Sequence, residues 1–295
     1  MRQQTLSLAV AKKSAADLSE RSASLDRARM NAYSALGAGR WHAVVPSRTL
    51  DKYLTGSQLR TLLAIQLGVD VHDGNSVCRS CGGTLGTKGI HDMSCTCGGD
   101  IITRHNKVRD KVFGYAARAM LQPELEKVGL LEEPNVTLNL RRPADVLIRE
   151  GEREIRKTAL DIKVINALGA DHYNATLGGP LKAAEAYREQ ALLYQDTQAL
   201  CAAQGIAYEP LVFTCQGGCE KHAEAILSRI AVSIAKCEGV DAATVKAEMM
   251  EDISLCIGRS VAHAIQKRGR PAHTKKSHIQ RVLEEAAEGH YVDDD

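Results

Sequence analysis

Aromatic residues are scarce in this sequence, which has one tryptophan and two phenylalanines among 295 residues. A hydrophobic core must therefore be built mostly from Ala, Leu, Ile and Val. No apolar run is long enough to cross a lipid bilayer, which argues against a membrane protein. The apolar core of a signal peptide is also missing, because residues 6–10 are too few and two lysines follow them closely. We therefore expect an intracellular protein.

The sequence also lacks an excess of positive or negative charge. The formal net charge is +2, so the overall charge does not indicate a nucleic-acid partner. A hydrophobic fraction of 44% and a charged fraction of 25% are typical of a globular protein. No internal repeat of solenoid period is found. In a reducing compartment the nine cysteines are expected to be thiols or metal ligands, not disulfides.

The composition changes along the chain and predicts four segments. The first is a polar, loosely ordered leader followed by a helical extension with two helices. One helix covers residues 25–36, and the other begins at a cap formed by Thr55 or Ser57 and ends at Gly68. The second is rich in glycine and cysteine, the third alternates helices and strands, and the fourth is a helix with a basic tail. Their bounds are 1–70, 71–100, 101–240 and 241–295.

The third segment predicts an α/β domain with a central sheet flanked by helices. Its first helix starts at Thr103 and turns Val108, Val112, Ala116 and Met120 inward. Three strands, a long helix, a fourth strand and another helix follow. We place these at 135–140, 144–149, 158–166, 181–204, 208–214 and 220–236, and a last helix at 242–266.

The cysteine-rich segment has the spacing of a zinc knuckle. Cys78 and Cys81 can chelate one ion from a tight turn, and His91 and Cys95 lie one helical turn apart. Little apolar material surrounds them, so a bound zinc ion, which stabilises small fingers by roughly 10–16 kcal/mol, would supply the missing stability. Cys97 is an alternative to Cys95 as the fourth ligand.

The five remaining cysteines are scattered, and we expect buried, small hydrophobic side chains there. Cys215 and Cys219 flank a Gly-Gly turn and are an alternative metal pair, although they lack partner ligands. The full set is Cys201, Cys215, Cys219, Cys237 and Cys256.

Two acidic motifs predict a second metal site. Asp161 and Lys163 point to the same side of a strand, because strand side chains alternate. If this strand and the one before it form a hairpin, Asp145 lies beside Asp161. Clustered carboxylates favour magnesium or manganese, and the lysine can orient an attacking water. The alternative is a solvated hairpin rim with an incidental ion pair.

The order of these motifs resembles a known family. The cysteine and histidine pairs are followed by Arg104-His105-Asn106, Glu133-Pro134, Arg142-Pro143-Ala144-Asp145 and Asp161. Over roughly residues 35–235 this is similar to the restriction-like endonuclease domain of site-specific non-LTR retrotransposons. The resemblance implies a zinc knuckle leading into a PD-(D/E)xK nuclease fold, whose core has the order αβββαβ.

The resemblance also implies a function. Such a domain nicks target DNA to prime reverse transcription, so we expect DNA, with RNA as an alternative, a reverse transcriptase acting in trans, and a nuclear location. Asp145 and Asp161 match the magnesium- or manganese-binding acids, Lys163 the catalytic lysine, and Glu133 a further carboxylate. Gln190 stands where the family usually has a lysine. A catalytically inactive nucleic-acid-binding module is therefore an alternative, and a protein-interaction scaffold that uses the long helices is another.

Local basic surfaces predict where nucleic acid binds. The helix from Thr103 is rich in lysine and arginine beside the acidic motifs, although Asp110 also fits an ordinary solvated face. Residues 268–271 read Arg-Gly-Arg-Pro, the core of an AT-hook, with a generic basic tail or nuclear-localisation signal as the alternative. The expected contacts are Arg104, His105, Lys107, Lys111, Arg142, Arg268 and Arg270.

Overall fold

The protein is a mixed α/β structure with a small four-stranded sheet. The computed structural model describes residues 3–74, 76–131, 142–149 and 156–269. The strands are β1 (Pro123–Leu125), β2 (Val146–Ile148), β3 (Thr158–Ile165) and β4 (Ala207–Thr214). The helices are α1 (Gln3–Arg21), α2 (Ser24–Ser34), α3 (Gly56–Leu67), α4 (Ile90–Ser94), α5 (Asp100–Arg118), α6 (Tyr173–Leu177), α7 (Lys182–Leu193), α8 (Thr197–Ala203), α9 (Lys221–Glu238) and α10 (Ala242–Arg268).

The predicted leader is a helix in the structure. Helix α1 covers most of the segment expected to be loosely ordered, and its side chains are largely exposed. The sequence QQTLSLAVAKKSAADLSER consists mainly of good helix formers, and it has neither glycine nor proline to interrupt them. Local propensity therefore suffices for a helix here although little of it is buried.

The ends of α3 follow the sequence signals closely. Thr55 accepts a hydrogen bond from the backbone N–H of Gln58, whose side chain in turn accepts from the backbone of Thr55, which completes a capping box. Gly68 ends the helix with φ 73°, a left-handed conformation that favours glycine. The predicted helix and both of its ends are confirmed.

The sequence predicts an apolar stripe of Leu59, Leu62, Leu63 and Leu67 on α3. This prediction and the one for the inward face of α5 are only partly correct. Helix α3 buries Leu62 and Ile65, whereas Leu59 and Leu67 are exposed. Helix α5 buries Val108, Val112 and Ala116 as expected, but Met120 lies beyond its end and is exposed. The apolar stripe of α3 is rotated because Thr61 and Ala64 also face the core.

The predicted long helix at 181–204 is interrupted in the structure. Gln195 and Asp196 adopt left-handed conformations between α7 and α8, with φ of 51° and 53°. The two helices pack against different groups of core residues. Ala184 of α7 meets Val212, whereas Cys201 of α8 meets Ala159. The chain therefore turns between two helices that belong to different core clusters.

The sheet has the strand order β1-β2-β3-β4, with antiparallel pairing up to β3 and parallel pairing of β3 with β4. Strands β2, β3 and β4 confirm three predicted strands, with slightly different ends. The predicted strand at 135–140 lies outside the described residues, and β1 was not predicted. From α5 onward, the elements α5, β1, β2, β3, α7 and β4 follow one another, with α6 before α7 and α8 after it.

Helices cover both faces of the sheet. Leu160 and Ile162 of β3 join a large core with α5, α9 and α10, while Ala159 faces α8 on the other side. Helix α10 contacts α3, α4, α5 and α9 and is buried along most of its length. In the part of the chain that the structure describes, no helix is long and apolar enough to cross a membrane.

We predict that Leu160→Ala lowers the free energy of unfolding by about 2–5 kcal/mol, because it removes a fully buried side chain and leaves a cavity in the core. The matched control is Leu193→Ala, since Leu193 is 80% exposed and its truncation should change stability by less than about 0.5 kcal/mol. Denaturant unfolding measures both. Equal losses in the two variants would contradict the placement of β3 in the core.

Candidate functional site

The register of β2 and β3 brings two aspartates together. Val146 pairs with Leu160, so continuing the antiparallel ladder by one residue sets Asp145 opposite Asp161. The backbone N–H of Asp145 donates to the carbonyl of Leu160 at 2.9 Å. The N–H of Ile162 donates to Oδ2 of Asp145 at 2.7 Å. Backbone bonds therefore fix the Asp145 carboxylate against β3.

Asp161 is held by two side chains. Lys163 Nζ lies 2.8 Å from Oδ1 of Asp161, as expected for residues two apart on a strand. The hydroxyl of Tyr208, on the neighbouring strand β4, donates to Oδ2 at 2.8 Å. The predicted pairing of Asp161 with Lys163 is therefore present, and Tyr208 adds a partner that the sequence analysis missed.

Helix α5 supplies a histidine to the same site. His105 Nε2 lies 3.1 Å from Oδ2 of Asp145, and its Nδ1 lies 3.2 Å from the Oδ1 of Asn106. We expected His105 to contact nucleic acid, but in this structure its ring is engaged with a carboxylate. Asp145 thus has a charged or polar donor from a helix as well as from a strand.

The surroundings move the two carboxyl pKa values apart. Burial raises the pKa of Asp161 above its usual range, and Lys163 only partly offsets this. Burial also acts on Asp145, but hydrogen bonds from His105 and from the Ile162 N–H outweigh it, so its pKa is lowered. The pKa of Lys163 is raised, because its carboxylate neighbours more than compensate for burial. The lysine is therefore charged at neutral pH.

Two residues expected to bind nucleic acid are structural instead. Arg104 is 1% exposed and donates to the carbonyl of Met93 at 2.9 Å. The Arg268 side chain is 0% exposed and pairs with Asp100 at 2.6 Å. Neither guanidinium can reach a phosphate in this structure. Arg268 is accommodated in the interior because its guanidinium pairs with a carboxylate and with two carbonyls through several N–H donors.

Two lysines expected beside the acidic motifs lie on the other side of α5. Lys107 follows His105 by two residues, which corresponds to a rotation of about 200° around a helix. With Lys111 it lines a cavity of about 530 Å³ shared with the loop at 51–52 and with α10. The expectation that this basic face adjoins the carboxylates is therefore wrong.

The other expected contacts are placed only in part. Arg142 is about half exposed and pairs with Glu126 at 2.6 Å, near the start of β2. Glu133 and Arg270 lie outside the described residues.

The predicted zinc ligands converge. A turn closed by hydrogen bonds from Cys78 to Gly83 and from Gly82 to Cys78 presents the first cysteine pair. The short helix α4 brings His91 close to Cys95, whose N–H donates to the carbonyl of His91. The ligand atoms of Cys78, Cys81, His91 and Cys95 all lie within 4.8 Å of one another. In the described part of the chain, no other group of three or more such side chains does so.

The distances in this cluster fit a zinc ion. The sulfurs of Cys78 and Cys95 are 3.9 Å apart, and Cys81 Sγ lies 3.4 Å from His91 Nε2. A tetrahedral zinc site with ordinary bond lengths has edges of about 3.8 Å between sulfurs and about 3.5 Å between sulfur and nitrogen. Burial raises the pKa of Cys78, but backbone N–H groups of Ser80 and Cys81 outweigh it and lower the pKa to about 6. The cluster could therefore hold a zinc ion, with the thiolate that zinc requires already favoured.

The alternative ligand is not part of this cluster. Cys97 is exposed, and its carbonyl accepts from the Cys95 thiol at 3.7 Å. Cys215 and Cys219 are buried, and burial raises the pKa of both thiols. Cys201 and Cys256 are buried as expected, whereas Cys237 is exposed.

No protein-family model, curated protein or solved structure matches this chain.

We predict one tightly bound zinc ion per chain, held by the four clustered ligands. Cys78→Ser should lose most of the metal, because serine is a poor zinc ligand at neutral pH. Cys97→Ser is the matched control and should retain it, since Cys97 lies outside the cluster. Elemental analysis after exhaustive dialysis measures both. A zinc-free wild type would contradict the prediction, and full retention by Cys78→Ser would move the site elsewhere.

We predict that Lys163→Met raises the pKa of Asp161 further, because the ammonium is the main group that lowers it. Titration followed by the carboxyl ¹³C shift measures this, with Lys182→Met as a control that should leave Asp161 unchanged. The folded state holds this proton more tightly than the unfolded chain does. The contribution of Asp161 to stability is therefore lost as pH rises through the folded pKa. An unchanged titration would show that the ion pair does not form in solution.

Proposed function

We propose that the protein is a metal-dependent DNA endonuclease of the PD-(D/E)xK type, related to the nuclease domains of non-LTR retrotransposons. The observation that carries this proposal is the convergence of Asp145, Asp161 and Lys163 across the β2–β3 pair. Two carboxylates at one point suit magnesium or manganese, and a charged lysine beside them suits a water nucleophile. The succession of α5, β1, β2, β3, α7 and β4 is consistent with the αβββαβ core.

Asp145 is the better prepared of the two acids to bind a cation. Its lowered pKa keeps it ionised, and the hydrogen bonds to it from described residues all reach Oδ2. Oδ1 is then left for the metal. The backbone N–H of Ile162 fixes the carboxylate so that it need not reorganise when the metal binds.

Asp161 would have to give up one of its partners in order to hold a metal ion. Both of its oxygens are engaged, one by Lys163 and one by Tyr208. A divalent ion near the pair would stabilise the ionised form, which burial alone disfavours. Lys163 would then release Oδ1 and hold the attacking water by its ammonium. Tyr208 would keep Oδ2 in place throughout.

A bound magnesium ion would stabilise the charge that develops on the phosphate and lower the pKa of a coordinated water. His105 extends this arrangement, since it orients Asp145 from α5. Its pKa is raised chiefly by the hydrogen bond to Asp145, so it carries more positive charge at neutral pH than a free histidine. This charge would face the phosphodiester backbone. In this scheme DNA is the substrate, a reverse transcriptase acts in trans, and the protein works in the nucleus.

A catalytically inactive nucleic-acid-binding module is the second candidate. One observation favours it: Lys163 and Tyr208 engage both oxygens of Asp161. A polar cluster that is fully satisfied can persist for structural reasons alone. Gln190 also favours this candidate, because it stands at a position where the family usually has a lysine.

We predict cleavage of supercoiled plasmid that requires magnesium or manganese. Asp145→Ala, Asp161→Ala and Lys163→Ala should each lower the rate on the order of 10²–10³-fold, because each removes a preorganised charged group. The two aspartate variants should also bind the metal more weakly, whereas Lys163→Ala should mainly lower the rate. The matched control is Asp110→Ala, an exposed aspartate of α5 that should leave the rate unchanged.

Two results would contradict this prediction. If wild type cleaves no supercoiled, single-stranded or branched DNA with any divalent metal, but still binds DNA, the inactive binding module is correct. If wild type cleaves and Asp161→Ala cleaves equally well, the catalytic residues are elsewhere.

A further inference from the structure

The C-terminal end of α10 is anchored by a buried arginine. The Arg268 guanidinium is fully buried and pairs with Oδ2 of Asp100 at 2.6 Å. It also donates to the carbonyl of Cys97 at 2.9 Å and to that of Ala264 at 3.2 Å. A buried charge is costly unless it is paired and hydrogen-bonded. These partners are therefore what keeps Arg268 inside the protein.

Two of the partners of Arg268, Cys97 and Asp100, follow a zinc-site cysteine closely in the chain. Cys97 and Asp100 lie two and five residues after Cys95, and the Cys95 thiol approaches the same Cys97 carbonyl at 3.7 Å. Lys267 adds a bond to the carbonyl of Gly98 at 2.8 Å and contacts Asp100 at 3.3 Å. Two consecutive side chains of α10 thus hold the loop at 97–100.

Apolar and steric contacts join the same two parts of the molecule. A Cβ added at Gly89, directly before α4, would lie 3.0 Å from side-chain carbons of both Val71 and Ile265. A Cβ added at Gly269 would lie 2.2 Å from Nδ1 of the buried His72. The segment that carries the cysteine cluster is therefore packed against the end of α10, without room for further atoms at either glycine.

We infer that Arg268 is a positioning residue of the zinc centre, which couples zinc occupancy to the docking of the end of α10. From one side the metal would hold the loop through Cys95 Sγ, and from the other side Arg268 holds it through Cys97 and Asp100. Three thiolates around one Zn²⁺ leave a net negative charge, which a nearby guanidinium stabilises. This inference goes beyond the proposed nuclease activity and does not depend on it.

The ion pair of Arg268 with Asp100 at 2.6 Å is the contact through which docking acts on the loop. Coupling of this kind is reciprocal: if docking strengthens zinc binding by some factor, zinc strengthens docking by the same factor. The first arginine of the Arg-Gly-Arg-Pro motif is thus committed to the cluster, and it reaches a DNA groove only when the end of α10 undocks.

The test measures zinc affinity by competition with a chromogenic chelator. Arg268→Ala should weaken zinc binding about 10–100-fold, the usual effect of losing a residue that supports the metal ligands. Arg268→Lys should restore part of this loss, since it returns the charge without the fork of donors. The matched control is Val261→Ala, a buried residue of the same helix that lies in the main core and should leave zinc affinity unchanged.

A reciprocal measurement separates this role from general stability. Chelation of zinc should speed amide hydrogen exchange at residues 262–268 while residues 249–257 of the same helix keep their protection. If Arg268→Ala does not fold, Asp100→Asn removes the paired charge and should weaken zinc binding in the same direction. The inference is overturned if the variant that folds binds zinc like wild type, if Val261→Ala loses zinc equally, or if chelation leaves exchange at 262–268 unchanged.

Discussion

The arrangement of the acidic site depends on the pairing of Val146 with Leu160. This register sets two carboxylates opposite each other in a partly buried place, where like charges repel strongly. The other groups of the site offset that repulsion by donating hydrogen bonds or positive charge to the two carboxylates. His105 and a backbone N–H hold one carboxylate, while Lys163 and Tyr208 hold the other. A slip of the register by one residue would send every side chain of β2 to the opposite face and separate the pair.

Local signals in the sequence predicted local structure well. The cap at Thr55 before α3 and the glycine after it follow from short motifs. The zinc cluster was predictable for the same reason, since all four ligands lie within a segment of 18 residues. Asp161 and Lys163 were predictable as partners because strand alternation is a local rule.

Long-range contacts were not predictable in this way. Tyr208 reaches Asp161 only because β4 lies parallel to β3, and nothing in its own neighbourhood indicates that pairing. Arg104 and Arg268 looked like surface cations, because their buried partners Met93 and Asp100 are visible only in three dimensions. The break at Gln195 is likewise not marked by a glycine or proline in the sequence.

The central position of α10 also has a consequence for synthesis. This helix packs against α3, α4, α5 and α9, all of which leave the ribosome before it does. Until residues 242–268 emerge, the apolar surfaces that they cover remain exposed to solvent. Such incomplete intermediates are prone to aggregate. The nascent chain would therefore need α10, the last of the described helices, to complete its core during translation.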